Sequence, residues 1–100
     1  MSVIPLRSPQ QWSDEQIKLT ATKNRRVAIN MLIEKYRQPL FRHALYILRD
    51  EDEAYDIVQE TFIRGIRETR LFDPDFRVKA WLFRVAKNLC LNQLRNTSRR

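Results

Sequence analysis

Six residues at helical spacing, Trp81, Arg84, Asn88, Asn92, Arg95 and Arg99, bring together one aromatic ring, two amides and three guanidiniums. At about 100° per residue they fall along one stripe of a helix. Each type has a use against nucleic acid. Guanidiniums neutralise phosphates and release condensed counterions. An amide carries a donor and an acceptor together, which suits the edge of a base. An aromatic ring stacks on an unpaired base. A solvated basic face with Trp81 packed at its rim is the competing reading of the same stripe.

The stripe sits in the chain's charged quarter. Residues 76–100 hold seven of the nineteen Lys and Arg (Arg77, Lys79, Arg84, Lys87, Arg95, Arg99 and Arg100) and none of the twelve Asp and Glu. The remaining residues balance, twelve against twelve, so the net charge of +7 lies entirely in this stretch. A field of one sign favours a polyanion. The acids cluster in turn: Asp50, Glu51, Asp52, Glu53, Asp56 and Glu60 fall within eleven residues that contain no base. Asp50 fits a helix N-cap, Glu53 fits the closing position of a capping box, and acids in a first turn complement the helix dipole. Asp56 and Glu60 lie beyond that first turn. With Gln59 and Ile63 they form an outer face opposed to Ala54, Ile57, Val58, Thr61, Phe62 and Ile66. Such a face points to a basic protein partner, or to simple solvation.

Several classes drop out. His43 is the single histidine and Cys90 the single cysteine, which removes an internal disulfide and most zinc and histidine-based catalytic sets. No glycine-rich phosphate loop and no nucleophile–base pair occurs, so neither an enzyme nor a cofactor is expected. No apolar run approaches the roughly 18 residues of a membrane span. The start, MSVIPLRSPQQW, lacks a secretory h-region, and a cytoplasmic setting is expected.

The elements that must position these residues are helices. With one Gly and four Pro in 100 residues, and long runs of good helix formers, the chain reads as all-α, a compact bundle of about four helices. Residues 1–12, with Pro5 and Pro9, read as a flexible or extended tail. Ser13 to Gln16 reads as a capping box opening a short helix with Ile17 and Thr20 or Ala21 inward. Residues 26–49 form either one helix kinked near Pro39 or two in tandem. Gly65 in the acidic helix is read as permitting a close helix crossing. In 70–76, RLFDPDF, Asp73-Pro74 marks a turn, Asp75 is a candidate cap, and Leu71, Phe72 and Phe76 anchor the loop. The last helix spans about 77–96, with Val78, Leu82, Val85, Ala86 and Leu89 inward. Phe83, Cys90 and Leu94 lie off the centre of that face, available to a partner or to the N-terminal helix. His43 reads as a half-exposed helix residue. The units are thus 1–22 as tail and short helix, 23–96 as the domain, and 97–100 as the start of a linker.

The run Asp56-Ile57-Val58-Gln59-Glu60-Thr61-Phe62-Ile63-Arg64 resembles a signature of bacterial extracytoplasmic-function (ECF) sigma factors, D-[LIV]-V-Q-E-[TV]-F-[LIV]-[RK]. Ala80-Trp81-Leu82-Phe83-Arg84-Val85-Ala86-Lys87-Asn88 is similar to the second, A-W-L-[FY]-[RK]-[IV]-A-[RK]-N, and Tyr36 to Leu40 matches the Y-x-x-x-L upstream. The resemblance covers residues 26–100, region 2 of such factors. It implies a transcription initiation domain that binds RNA polymerase core and recognises and melts the promoter −10 element. Asp56, Gln59, Glu60 and Ile63 are implied to dock on the clamp coiled coil of the largest catalytic subunit, with Arg64 a further candidate. Asn88 is implied to read a flipped base of the non-template strand, with Asn92, Arg84, Arg95 and Lys87 as neighbours. Phe72, Phe76 and Arg77 belong to the loop that helps form the base pocket, and Trp81 is implied to be mainly core. Family members often carry Asp where Asn92 stands. Residues 1–100 hold no helix-turn-helix domain for the −35 element, so either a fragment cut at the linker or a protein that works with region 2 alone is expected, and the linker-like Asn96 to Arg100 favours the fragment. Two alternatives remain: a general basic nucleic-acid-binding helical module, and a domain held mainly by an anti-sigma factor.

Overall fold

The structure, a computed structural model, describes residues 12–98, and among these every regular element is α-helical. The four helices are α1 (Asp14–Lys23), α2 (Arg25–Leu48), α3 (Glu51–Arg67) and α4 (Val78–Ser98). The all-α bundle expected from the sequence is the observed fold. Helix α2 is its axis: α1, α3 and α4 all pack against it, and α3 also packs against α4.

Local chemistry sets most of the boundaries. Ser13 Oγ accepts from the Gln16 amide at 3.0 Å while Gln16 Oε1 accepts from the Ser13 amide at 2.8 Å, the reciprocal capping box. Asn24 ends α1 and begins α2: its N–H reaches the Thr20 carbonyl and its side chain accepts from Val27 N. Asn24 alone separates the two helices. Helix α2 runs unbroken through Pro39, so the one-helix alternative holds, at the cost of the backbone bond that Pro cannot donate. It stops at Arg49, whose φ of 59° is left-handed, and Asp50 then caps α3 by accepting from Glu53 N at 2.9 Å. Glu53 closes no capping box. Its carboxylate accepts from Gln93 Nε2 of α4 at 2.9 Å, a tie between helices that local pattern does not reveal.

The core is filled by Trp12, Ile17, Met31, Leu32, Tyr36, Leu40, Leu71 and Leu82, among others. Burying a large apolar side chain contributes roughly 1.5–3 kcal/mol. Four expectations are corrected here. Trp12, assigned to a free tail, is buried; residues 1–11 lie outside the described residues. Ile66 is 49% exposed and Gly65 is buried in its place, because position 66 lies about 120° round the helix from Ala54 whereas 65 lies about 20°. Cys90 is fully buried: α4 buries the ridge Val78, Leu82, Ala86 and Cys90 at spacing four, while Val85 and Leu89 are half-buried. A close crossing is not what Gly65 is needed for, since a Cβ there would meet Trp81 Cζ3 at 3.7 Å and Leu82 Cδ2 at 3.9 Å, ordinary contact distances.

Helix α4 starts at Val78, so Arg77 rather than Asp75 holds the N-cap position, and its carbonyl accepts from Trp81 N at 3.0 Å. At its other end α4 continues two residues past the expected 96. His43 is half-buried, its ring edge-on to Phe83 at 5.3 Å.

Candidate nucleic-acid and polymerase interfaces

Helix α4 carries the proposed reader. Its buried ridge faces α2 and α3, which turns Arg84, Asn88, Asn92 and Arg95 outward, all exposed. Lys87 is exposed too, about 100° from Asn88 at the stripe's edge. Among the described residues, no hydrogen bond or ion pair engages the side chains of Arg84, Lys87, Asn88 or Asn92. Their donors and acceptors face solvent ready for a ligand, with no internal bond to break first. The side chains form no metal site: among the described residues no group of His, Cys, Asp and Glu has that geometry.

The loop before α4 is built from successive tight turns. Leu71 N donates to Glu68 O at 3.2 Å, Asp73 N to Arg70 O at 2.9 Å and Phe76 N to Asp73 O at 3.0 Å. Leu71 is fully buried and pins the middle of the loop. Phe72 is half-buried under the Arg25 guanidinium, 5.2 Å from its ring centre, and Phe76 lies under that of Arg70 at 5.7 Å. Phe76 also leans on Trp81, the ring centres 5.8 Å apart and the planes tilted by 56°. These two rings, with Arg77, Ala80 and Arg84, line an open cleft of about 370 Å³. An aromatic wall with guanidiniums at its rim suits a base and its phosphate. Trp81 is half-buried: its ring packs beside Gly65 and also lines this cleft.

Helix α3 presents the acidic face. Asp56 and Gln59 are exposed, Ile63 is 42% exposed, and Glu60 is half-buried in an ion pair with Arg64, Oε2 to Nε at 3.1 Å. That pair partly neutralises Glu60 and is worth only about 0.3–0.5 kcal/mol. Buried Ala54, Ile57, Val58 and Thr61 hold the opposite side, with Thr61 Oγ1 donating to Ile57 O at 2.8 Å. Of the twelve expected site residues, eight thus lie in α4 and the loop before it and four in α3, but Phe72 faces α1, lining a pocket with Lys18, Leu19 and Pro74 rather than the Phe76–Trp81 cleft. Of the off-centre residues of α4, Leu94 is 41% exposed, Phe83 packs on His43 and Cys90 is core.

Two cations that sequence reasoning passed over support the loop. Lys18 Nζ of α1 donates to Pro74 O at 3.1 Å and Phe76 O at 2.6 Å, and Arg25 donates to Ile66 O at 3.0 Å and Glu68 O at 3.3 Å. No local signal marks them, because their partners lie more than forty residues away.

The Sigma-70 region 2 family model matches residues 32–100. The chain belongs to that family. It is a sigma region 2 domain, and its relatives place it with the ECF type. It is 30% identical over 90 residues to the RNA polymerase sigma-H factor of Pseudomonas aeruginosa, covering 90% of this chain and 47% of that protein. It is 32% identical over 69 residues to the ECF RNA polymerase sigma factor SigM of Bacillus subtilis, covering 69% of this chain and 42% of that one. SigW of the same organism is 31% identical over 64 residues, 64% of this chain and 34% of its own length. The region 2 domain thus spans under half the length of these relatives. No solved structure matches the chain. Among the described residues, no helix is long and apolar enough to cross a membrane.

Proposed function

We propose that this domain recruits RNA polymerase core through the outer face of α3 and reads the non-template strand of the promoter −10 element with α4 and its preceding loop. The observation that carries the reading is the pair of exposed amides Asn88 and Asn92, which have no hydrogen-bond partner among the described residues and are flanked by Arg84 and Arg95 on a helix without a single acid. Guanidiniums hold the phosphate backbone, and amides supply the directional bonds that distinguish one base from another. The Phe76–Trp81 cleft lies two turns N-terminal to Asn88 on the same helix and offers a stacking wall for an extruded base.

Asp56, Gln59, Glu60 and Ile63 supply the protein contact. A helix face that mixes acid, amide and one apolar residue fits a basic, helical partner surface, here the clamp coiled coil of the largest catalytic subunit. The two surfaces are mechanically joined by the Glu53–Gln93 hydrogen bond, so docking α3 fixes where α4 meets DNA. The domain acts in the cytoplasm and works by binding alone.

The test is selection of single-stranded 12-mers from a random pool by the full chain, at low and physiological salt. Enrichment of one sequence that persists at physiological salt supports base reading. Binding of all sequences alike, lost steeply as salt rises, identifies a general basic module instead.

A further inference from the structure

The family match begins at residue 32, yet the two side chains that hold the DNA-facing loop from outside lie before it, in α1 and at the start of α2. We propose that Lys18 is a positioning residue for base reading: α1 is a strut, and its ammonium fixes the loop that leads into α4 by gripping two carbonyls of that loop's backbone.

The geometry supports a specific role rather than general glue. Lys18 Nζ donates to Pro74 O and Phe76 O, the carbonyls on either side of Asp75, and half-buries itself in doing so. Phe76 is the residue whose ring leans on Trp81 and lines the cleft, so its backbone position sets the cleft's aromatic wall. Phe76 N closes the last of the loop's turns on Asp73 O, and Lys18 thus clamps the residue at which the loop ends. The strut itself is anchored. It is fixed to α2 by Asp14, which accepts from Tyr36 Oη and Lys35 Nζ, and to the core by Ile17, the neighbour of Lys18 in sequence. Arg25 does the same work at the loop's other end, gripping Ile66 O and Glu68 O while its guanidinium covers Phe72. Charge-assisted bonds to carbonyls are stronger than neutral ones, and Lys bonds two acceptors at once with no acid in the pair. Neither side chain hydrogen-bonds to the α4 stripe, so a loss of base discrimination, as distinct from a uniform loss of affinity with the charge, passes through the loop.

The proposal rests on the base-reading function above, and the test separates the two. Lys18→Met keeps the stem and removes the donor; Lys18→Arg keeps a cation that reaches both carbonyls. Hydrogen exchange of the loop amides Leu71, Asp73 and Phe76 is measured in the full chain, with buried α3 amides as internal reference. Loss of a charge-assisted bond predicts exchange about tenfold faster in Lys18→Met at these loop amides alone, largely restored in Lys18→Arg. On the preferred single-stranded 12-mer and its single-base variants, the same Met variant loses discrimination about tenfold with a smaller loss of overall affinity, and Arg restores it. Unchanged loop exchange overturns the strut. Faster loop exchange with discrimination intact overturns its role in reading. If the unaltered chain discriminates no base, the base-reading function is what fails, and with it the proposed purpose of the grip, while the exchange data still report whether Lys18 holds the loop.

Discussion

The Tyr36 hydroxyl donates to the Asp14 carboxylate, 2.8 Å from one oxygen and 3.0 Å from the other, and the Lys35 ammonium lies 3.0 Å from the first of these. Asp14 is the first residue of α1 and Tyr36 is buried in the middle of α2, so this contact ties the start of α1 to α2 beside the buried Ile17. A buried hydroxyl left without its acceptor is penalised, and bonds to charged groups are worth more than neutral ones. With Asp14 about one-third exposed, Tyr36→Phe is expected to cost about 1–2 kcal/mol, and Asp14→Ala more, since it strands both the phenol and Lys35. Urea unfolding of the two variants measures this; equal stability to the unaltered chain would show α1 held by its apolar face alone.

Stability should fall in alkali. Burial, then the hydrogen bond to Asp14 and its negative charge, raise the Tyr36 phenol far above its usual 10.0, and burial pushes the Cys90 thiol from 9.0 up to about 11. Both groups hold their protons more tightly in the folded chain than in the unfolded one. Their contribution is therefore complete below pH 9 and is lost as pH rises, between 9 and about 11 for Cys90 and from 10 upward for Tyr36. Unfolding midpoints at pH 8, 9.5 and 11 should decline in that order, and in Cys90→Ala the decline should begin only above pH 10. A flat profile to pH 11 would mean that neither group is sequestered.

Gly65→Ala should stabilise the domain by about 0.5–1 kcal/mol. The position is helical, without positive φ, and the new methyl reaches Trp81 and Leu82 at normal contact distances. Thermal unfolding would show a higher midpoint. A lower one would mean that Trp81 must move to admit the methyl, and DNA binding would then change with it.

Asn88→Ala should flatten base preference by about 1–3 kcal/mol at one position of the bound strand while leaving the fold unchanged, since the Asn88 side chain bonds nothing among the described residues. Arg84→Ala should instead weaken all sequences alike and lower the salt dependence by about one phosphate contact. Anisotropy titrations on single-base variants distinguish the two patterns. A uniform loss on Asn88→Ala would move this residue from the reading to the phosphate-binding group.

Much of this was legible in the sequence because it is local. The Ser13–Gln16 capping box, the Asp50 cap, the outward set Asp56, Gln59 and Ile63, and the amide–guanidinium stripe of α4 depend on residues three or four apart. What escaped depends on distant partners. Trp12 looked like tail because the core that covers it is contributed by other helices, and Glu53 looked like a cap because Gln93 is forty residues away. Cys90 and Ile66 were misassigned for a related reason. A helix wedged between neighbours buries the arc those neighbours cover, and periodicity alone does not fix where that arc is centred. Lys18 and Arg25 carried no pattern at all, since backbone carbonyls as acceptors leave no mark on composition.

The most direct measurement is equilibrium binding of the full chain to purified RNA polymerase core at physiological salt, beside a variant carrying Asp56→Arg and Gln59→Ala. Both substituted positions are exposed and outside the core, so the variant should fold normally, which circular dichroism and its unfolding midpoint would verify. Saturable binding by the unaltered chain that the folded variant loses at least tenfold, about 1.4 kcal/mol, is the predicted result. Equal binding by both would remove α3 from the interface, and no binding by either would contradict recruitment of polymerase by this domain.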